Sequence, residues 1–381
     1  MTRERWTLDE VCEKKSSNLM QKDLTLGTGE YPIYGASGLL GYVDFYQRDK
    51  EYIGIVKDGA GVGRAMLLPA KSSCIGTMQY LVPKDCISSH YLYYAVESMN
   101  LAKYNTGATI PHIYFRDYKK ETLPKKGRDE QDYIASNLDK VVETIKKRRS
   151  QLQFFDDLVK SQFIEMFGDP FTTTEWDKKP LREVSVSIYD GSNIPKDLYC
   201  STGSIVFYRI QNVWRNEYHL DDLVYISSGT SRIYSDSSLN TNDILITKIG
   251  RFYTKDSSLG RVALYKGETG KAHFSNNIMR IRLKAEVKGE YINALLNLDV
   301  YQAYIKKVSV GGTDKRALSK MIIGELPIPV PPIDLQKKFV ALLEQTDKSK
   351  VLLTMKLFFH LYTAICLKAF EKSSQMMYNH R

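Results

Sequence analysis

The chain has 381 residues, of which 43% are hydrophobic and 26% charged, and its formal net charge is +10. This length permits two or three domains with cores of ordinary size, and the composition is that of a soluble globular protein without a low-complexity tract. Its longest apolar runs, such as Val351 to Leu353, fall far short of the ~20 residues a membrane span needs. No apolar run follows Met1 to Trp6, so a signal peptide is not expected. The five cysteines (Cys12, Cys74, Cys86, Cys200, Cys366) are odd in number and far apart, which fits reduced thiols in a cytoplasm better than a disulfide framework or a zinc site.

Taken in chain order, the elements fall into two parallel series. Trp6 to Val11 carries Leu8-Asp9-Glu10-Val11. β-rich runs bounded by turn residues follow, notably Tyr52 to Val56 and Arg64 to Pro69. A helix is expected over 89–104. Beyond Leu123-Pro124, apolar residues recur in steps of four and three at Ile134, Leu138, Val141, Ile145, Leu152, Phe155, Val159 and Met166, with Arg148 and Gln162 filling the gaps. Asp129 is the expected N-cap, and Gly168 with Pro170 the stop.

The same signs then return. Leu181-Arg182-Glu183-Val184 stands 173 positions after Leu8. Gly63-Arg64 is echoed by Gly260-Arg261, the helix over 89–104 by one over 289–307, and Gly107-Ala108-Thr109 by Gly311-Gly312-Thr313. Leu326-Pro327 and Asp334-Leu335-Gln336 answer Leu123-Pro124 and Asp129-Glu130-Gln131. The offset grows to about 205, so the second copy carries roughly thirty extra residues between Ser187 and Tyr225. Further strands are expected at 205–208 and 243–246. A second long helix, from Pro331 to about Phe370, repeats the stripe at Phe339, Leu343, Thr346, Leu353, Leu357, Ala364 and Leu367 around Lys350 and His360. Each rod of about 38 residues would reach ~57 Å. Phe154, Phe155, Phe163 and Phe167 exceed what one stripe needs and suit burial either in this chain or against a partner helix.

No catalytic apparatus emerges. Ile55 to Gly63 resembles a cofactor-binding glycine loop, but Arg64 to Pro69 reads as a strand where a helix should follow, so a hairpin is expected. No Pro-Pro-aromatic motif able to hold an adenine exists. Gly267 to Lys271 lacks the first glycine and the final hydroxyl of a phosphate loop and reads as a turn. The six histidines show no metal-ligand spacing with cysteine, and no Gly-x-Ser-x-Gly elbow is present.

With its two divergent globular regions, its two similar long helices, and segments such as Gly107 to His112, Phe154 to Asp169 and Leu326 to Gln336, the chain resembles the specificity subunits of type I restriction-modification systems over essentially its whole length. The resemblance implies an α+β protein with a pseudo-two-fold internal repeat. Target-recognition domains at 1–125 and 170–330 would be separated by antiparallel coiled-coil spacer helices at 126–169 and 331–381. It also implies a non-catalytic, cytoplasmic, prokaryotic protein that reads a bipartite site in double-stranded DNA. Two methyltransferase subunits, which bind S-adenosylmethionine, would be its partners, joined by motor-nuclease subunits for cleavage. Phosphate contacts supply affinity and polar side chains read base edges. On that basis Lys57, Arg64, Gln79 and Tyr80 are the expected DNA contacts of the first domain. Those of the second are Arg209, Asn212, Lys248, Arg251, Arg261, Asn276, Asn277 and Lys315. The competing readings are a DNA methyltransferase or nuclease with unrecognised motifs, and a coiled-coil scaffold, which would have no need of the +10 charge.

Overall fold

The computed structural model describes residues 4–378 apart from 25, 26, 28, 107–109 and 255, and the side chains of 23 and 356–378 are also outside the description. Gly107-Ala108-Thr109 and the stripe positions Leu357, Ala364 and Leu367 therefore lie outside the described residues or side chains. The chain divides into two compact units, Met1–Lys147 with His360–Arg381, and Arg148–Phe359.

In the first unit, Arg5–Thr7 pairs antiparallel with Thr122–Pro124, placing Trp6 opposite Leu123. A one-turn helix, Leu8–Val11, follows, with Thr7 and Glu10 forming a capping box. The main sheet runs in the order Cys12–Ser16, Met78–Pro83, Tyr52–Val56, Ala65–Leu68. Tyr52–Val56 is buried along its whole length, as a continuous apolar run in a central strand requires. It forms an antiparallel hairpin with Ala65–Leu68, in agreement with the hairpin reading. A second sheet orders Gly38–Val43, Tyr31–Gly35 and Ser73–Cys74.

Helix α1, Ser89–Glu97, is N-capped by Ser88 and packs Tyr91, Leu92 and Val96 into a core with Leu8, Ile53, Leu81 and Tyr118. It is shorter than the run 89–104 implied. Asn100 adopts a left-handed φ of 49°, and the remainder is one 3-10 turn, Leu101–Tyr104. The long helix α2 spans Arg128–Phe167. Asp129 thus lies in its first turn instead of capping it, where a carboxylate still meets the positive end of the helix dipole. Gly168 (φ 75°) ends the helix.

In the second unit, Lys178–Pro180 pairs with Pro327–Pro329 and a short helix, Leu181–Val184, follows. Its main sheet runs in the order Ser185–Asp190, Ile278–Leu283, Ile244–Thr247, Val262–Leu264. A four-stranded sheet holds Tyr199–Cys200, Val224–Ile226, Ile205–Tyr208 and Ala272–Phe274, and a three-stranded one holds Ile249–Arg251, Lys315–Ala317 and Val310–Gly311. The helix expected over 289–307 is two helices, α3 (Gly289–Asn297) and α4 (Asp299–Val308), parted by the extended Leu298 (ψ 143°). The second long helix, α5, spans Ile333–Tyr378.

Phe163 and Phe167 near the end of α2 join Tyr291 and Phe339 in the core of this unit. That settles two of the four surplus aromatics as internal packing, whereas Phe154 is 64% exposed. Every predicted stripe position of α2 is half-buried, from Ile134 through to Met166. Among the described residues no helix is long and apolar enough to cross a membrane.

Candidate nucleic-acid interface

Two lysines occupy matching places in the backbone of the two units. Lys57 follows the central strand Tyr52–Val56; its N–H donates to Thr77 O (3.0 Å) and its carbonyl accepts from Ile113 N (3.0 Å). Lys248 follows Ile244–Thr247, with its N–H on Asn277 O (2.9 Å) and its carbonyl on Leu318 N (2.8 Å). Both sit where a hairpin leaves the end of a main sheet, a position where the scaffold is rigid and the following residues are free to contact a ligand.

The reason a Gly-Arg pair closes each hairpin is steric. Gly63 (φ 85°) has the Ala102 backbone 2.3 Å from where a Cβ would stand, and Gly260 (φ 71°) has the Ile305 side chain at 2.5 Å. Only glycine fits either place.

In the second unit three expected contact residues meet. Arg251 lies opposite Lys315 in the three-stranded sheet. With Asn277, Ile210, Ile249, Gly250 and Ser258 they line a cleft of about 380 Å³. Arg251 (side chain 74% exposed) stands 3.7 Å from Asp314, and Lys315 is exposed. Asn276 is exposed beside Asn277, its N–H donating to Ser192 O at 3.1 Å. The Lys248 ammonium is bonded to Asp190 nearby. One end of the unit thus presents cations and amides together, the mixture that neutralises phosphates and reads base edges.

In the first unit Lys57 keeps its ammonium 3.9 Å from Asp58, and the Asp58 carboxylate is hydrogen-bonded to the His112 ring. Arg64 is exposed and donates to the carbonyl of Ala36, at the tip of the hairpin formed by Tyr31–Gly35 and Gly38–Val43.

Other expected contacts face inward. Gln79 (1% exposed) and Tyr80 (0%) lie on Met78–Pro83, which has neighbours on both sides in the main sheet. The Gln79 amide donates to the Tyr118 hydroxyl, and the Tyr80 hydroxyl donates to Gln47 Oε1 and accepts from Cys74 N at 3.2 Å. Asn212 (1% exposed) accepts from Arg209 N at 2.9 Å and donates to His219 O (3.1 Å) and Asp222 O (3.3 Å). All three side chains are buried, and these bonds tie the fold together. Arg209 pairs with Asp222 at 2.9 Å. The Asp222 carboxyl lies below its ordinary value through hydrogen bonds from Gln211 and Arg209. Arg261 is only 7% exposed.

Sequence reasoning missed Ile210, Ile249, Gly250 and Ser258 of the cleft, and also Phe252 and Tyr253, which follow Arg251. Tyr253 is 72% exposed, and Arg316 lies 4.4 Å over the Phe252 ring. The available signal was the hairpin's length: residues 249–259 stand in the second series where 58–62 stand in the first.

Comparison with known proteins gives this geometry its class. Residues 3–153 and 173–357 match the family described as the type I restriction modification DNA specificity domain, and the chain belongs to that family. Membership assigns it sequence recognition of DNA, not catalysis.

Two curated relatives come from Methanocaldococcus jannaschii. The specificity subunit of the type I restriction enzyme MjaVIII is 22% identical over 310 residues, covering 76% of this chain and 71% of the relative. That of MjaIX is 23% identical over 191 residues, and the match spans 45% of this chain and 44% of the relative. The crystal structure of the type I restriction-modification S subunit from M. genitalium shares the fold, with a TM-score of 0.59 at 16% identity, over 93% of this chain and 91% of that one.

Proposed function

We propose that this chain reads a bipartite site in double-stranded DNA, one half with each unit, on behalf of methyltransferase subunits that carry S-adenosylmethionine and the adenine chemistry. For cleavage, motor-nuclease subunits join the same assembly, in the cytoplasm of a prokaryote. In this reading the sequence is two copies of one unit, with recognition domains at 1–125 and 170–330, and spacer helices at 126–169 and 331–381. The helices pair as an antiparallel coiled coil and set the unspecified gap between the half-sites.

The observation that carries the reading is the matched seating of Lys57 and Lys248 at the ends of two sheets with the same strand order. Other pairs support it: Tyr91 and Tyr291 each donate a hydroxyl hydrogen bond to a proline carbonyl, Pro124 O and Pro329 O respectively, both at 3.0 Å. The DNA contacts assigned on this basis are Lys57 and Arg64 in the first unit, and Lys248, Arg251, Asn276, Asn277 and Lys315 in the second.

The test is enrichment of bound duplexes from a random pool, with the modification subunit co-expressed. A split motif with a fixed gap is expected. An intact complex that enriches no motif overturns the proposal.

A further inference from the structure

The Arg261 guanidinium is held by two backbone carbonyls and an aromatic ring. Its Nε donates to Ser257 O at 2.9 Å and its Nη2 to Asp256 O at 2.5 Å. Its central carbon lies 3.7 Å over the centre of the Trp214 ring, a cation–π contact that a planar guanidinium makes better than an ammonium. Trp214 is itself fixed: its Nε1 donates to Gln211 O at 2.9 Å, and its other neighbour is His219, stacked at 4.2 Å with 15° between the planes.

These contacts join two pieces of chain that are remote in sequence. One is the hairpin loop that includes Asp256, Ser257 and Ser258; the other is the 210–214 segment that includes Ile210 and Trp214. Ser258 and Ile210 are both walls of the cleft that holds Arg251, Asn277 and Lys315. Arg261 therefore sits behind the cleft, out of reach of anything bound in it, and ties its two sides together.

We propose that Arg261 is a positioning residue for recognition of the second half-site, acting through the stack on Trp214 and the loop carbonyls and not by touching DNA. The proposal rests on reading the cleft as a DNA-contact surface. Releasing the clamp lets the hairpin and the Ile210 segment move independently, so base readers lose their register while the phosphate-binding cations remain. The two possible roles leave different traces. A phosphate contact would lower the salt slope by about 0.9 on removal and would be largely replaced by lysine. A planar clamp leaves the slope alone and is not replaced by lysine, whose ammonium is a point donor.

The experiment measures affinity against salt and half-site preference for the full chain with its modification subunits. The proteins are the native chain, Arg261→Ala, Arg261→Lys, Trp214→Leu and, as a marker of the cleft, Lys315→Ala. Both Arg261 variants and Trp214→Leu should lose about tenfold of discrimination in the second half-site, at unchanged salt slope. Retained discrimination in the first half-site, together with the unchanged salt slope to which Lys248 and Lys315 of the second unit contribute, shows that each variant is folded. A native-like Arg261→Lys with a flatter slope for Arg261→Ala overturns the proposal, and so does full second-half discrimination in Trp214→Leu. A Lys315→Ala protein with native affinity and slope overturns the reading of the cleft itself, and the proposal with it.

Discussion

A glutamine is buried near the head of each long helix, an unusual place for an amide unless every group is paired. Gln131 accepts from Ser88 N (2.8 Å) and donates to Cys86 O (3.0 Å) and Lys126 O (2.9 Å). Gln336 accepts from Lys288 N (2.9 Å) and donates to Pro331 O (2.9 Å). Each amide fastens its helix to the loop that enters α1 or α3. Gln336→Leu keeps the volume but orphans a buried N–H and a carbonyl, at roughly 1–3 kcal/mol for each unpaired group. A loss of roughly 2 kcal/mol or more is expected in urea unfolding followed through Trp176, and a midpoint unchanged from the native protein would sink this account. Thiols give a second check at the same scale. Burial pushes Cys12 and Cys74 up to about 12, whereas Cys86 and Cys200 are exposed. Since the thiolate is the reactive species, iodoacetamide at pH 8 should modify Cys86 and Cys200 and spare Cys12 and Cys74 until the protein is denatured. Peptide masses decide it, and rapid native labelling of Cys12 would refute the packing described.

Elements show what the aromatic residues of α2 accomplish. Phe163 stacks on Tyr291 (5.4 Å, 15°) and meets Phe339 of α5 edge-on (5.3 Å, 87°), and Phe167 packs on both partners. Such geometry adds to simple burial. Phe339→Ala should cost roughly 3–5 kcal/mol and speed proteolysis within 148–167; an unchanged cleavage rate would show that the end of α2 is held by other means. Legibility follows the same physics. Tyr52–Val56 and Ile205–Tyr208 were readable because a run of β-branched and aromatic residues between turn signals has few alternatives. α2 was readable because its stripe persists over eight positions. The break at Asn100 was not, since a left-handed residue leaves no mark on apolar spacing, and neither was the extended Leu298, which is itself apolar. Within the candidate site, Lys248, Arg251, Asn277 and Lys315 were legible as cations and amides near turns. Gln79, Tyr80 and Asn212 misled because side-chain polarity reveals the capacity to hydrogen-bond and not the direction in which it is used. Whether a polar residue on a strand faces a ligand or a buried Tyr118 depends on the layers stacked against that strand, and these come from distant sequence.

For the molecule as a whole, the net charge of +10 matters through where it is concentrated. DNA binding releases condensed counterions, so each phosphate neutralised adds about 0.9 to the slope of log affinity against log salt. If Lys57, Lys248, Arg251 and Lys315 each meet a phosphate, the slope is about −3.6, and affinity falls roughly a hundredfold between 50 and 200 mM salt. Because Lys57 belongs to one unit and the other three to the second, the dependence should divide unevenly. Lys248→Ala with Lys315→Ala should flatten the slope by about 1.8 while leaving preference at the first half-site intact. Lys57→Ala should remove about 0.9 and leave the second half-site as it was. The measurement is equilibrium binding over a salt series to duplexes with either half-site scrambled. If the double substitution lowered affinity equally at all salt concentrations, the lysines would act through the fold. If it erased discrimination at both half-sites together, the two units could not be independent readers.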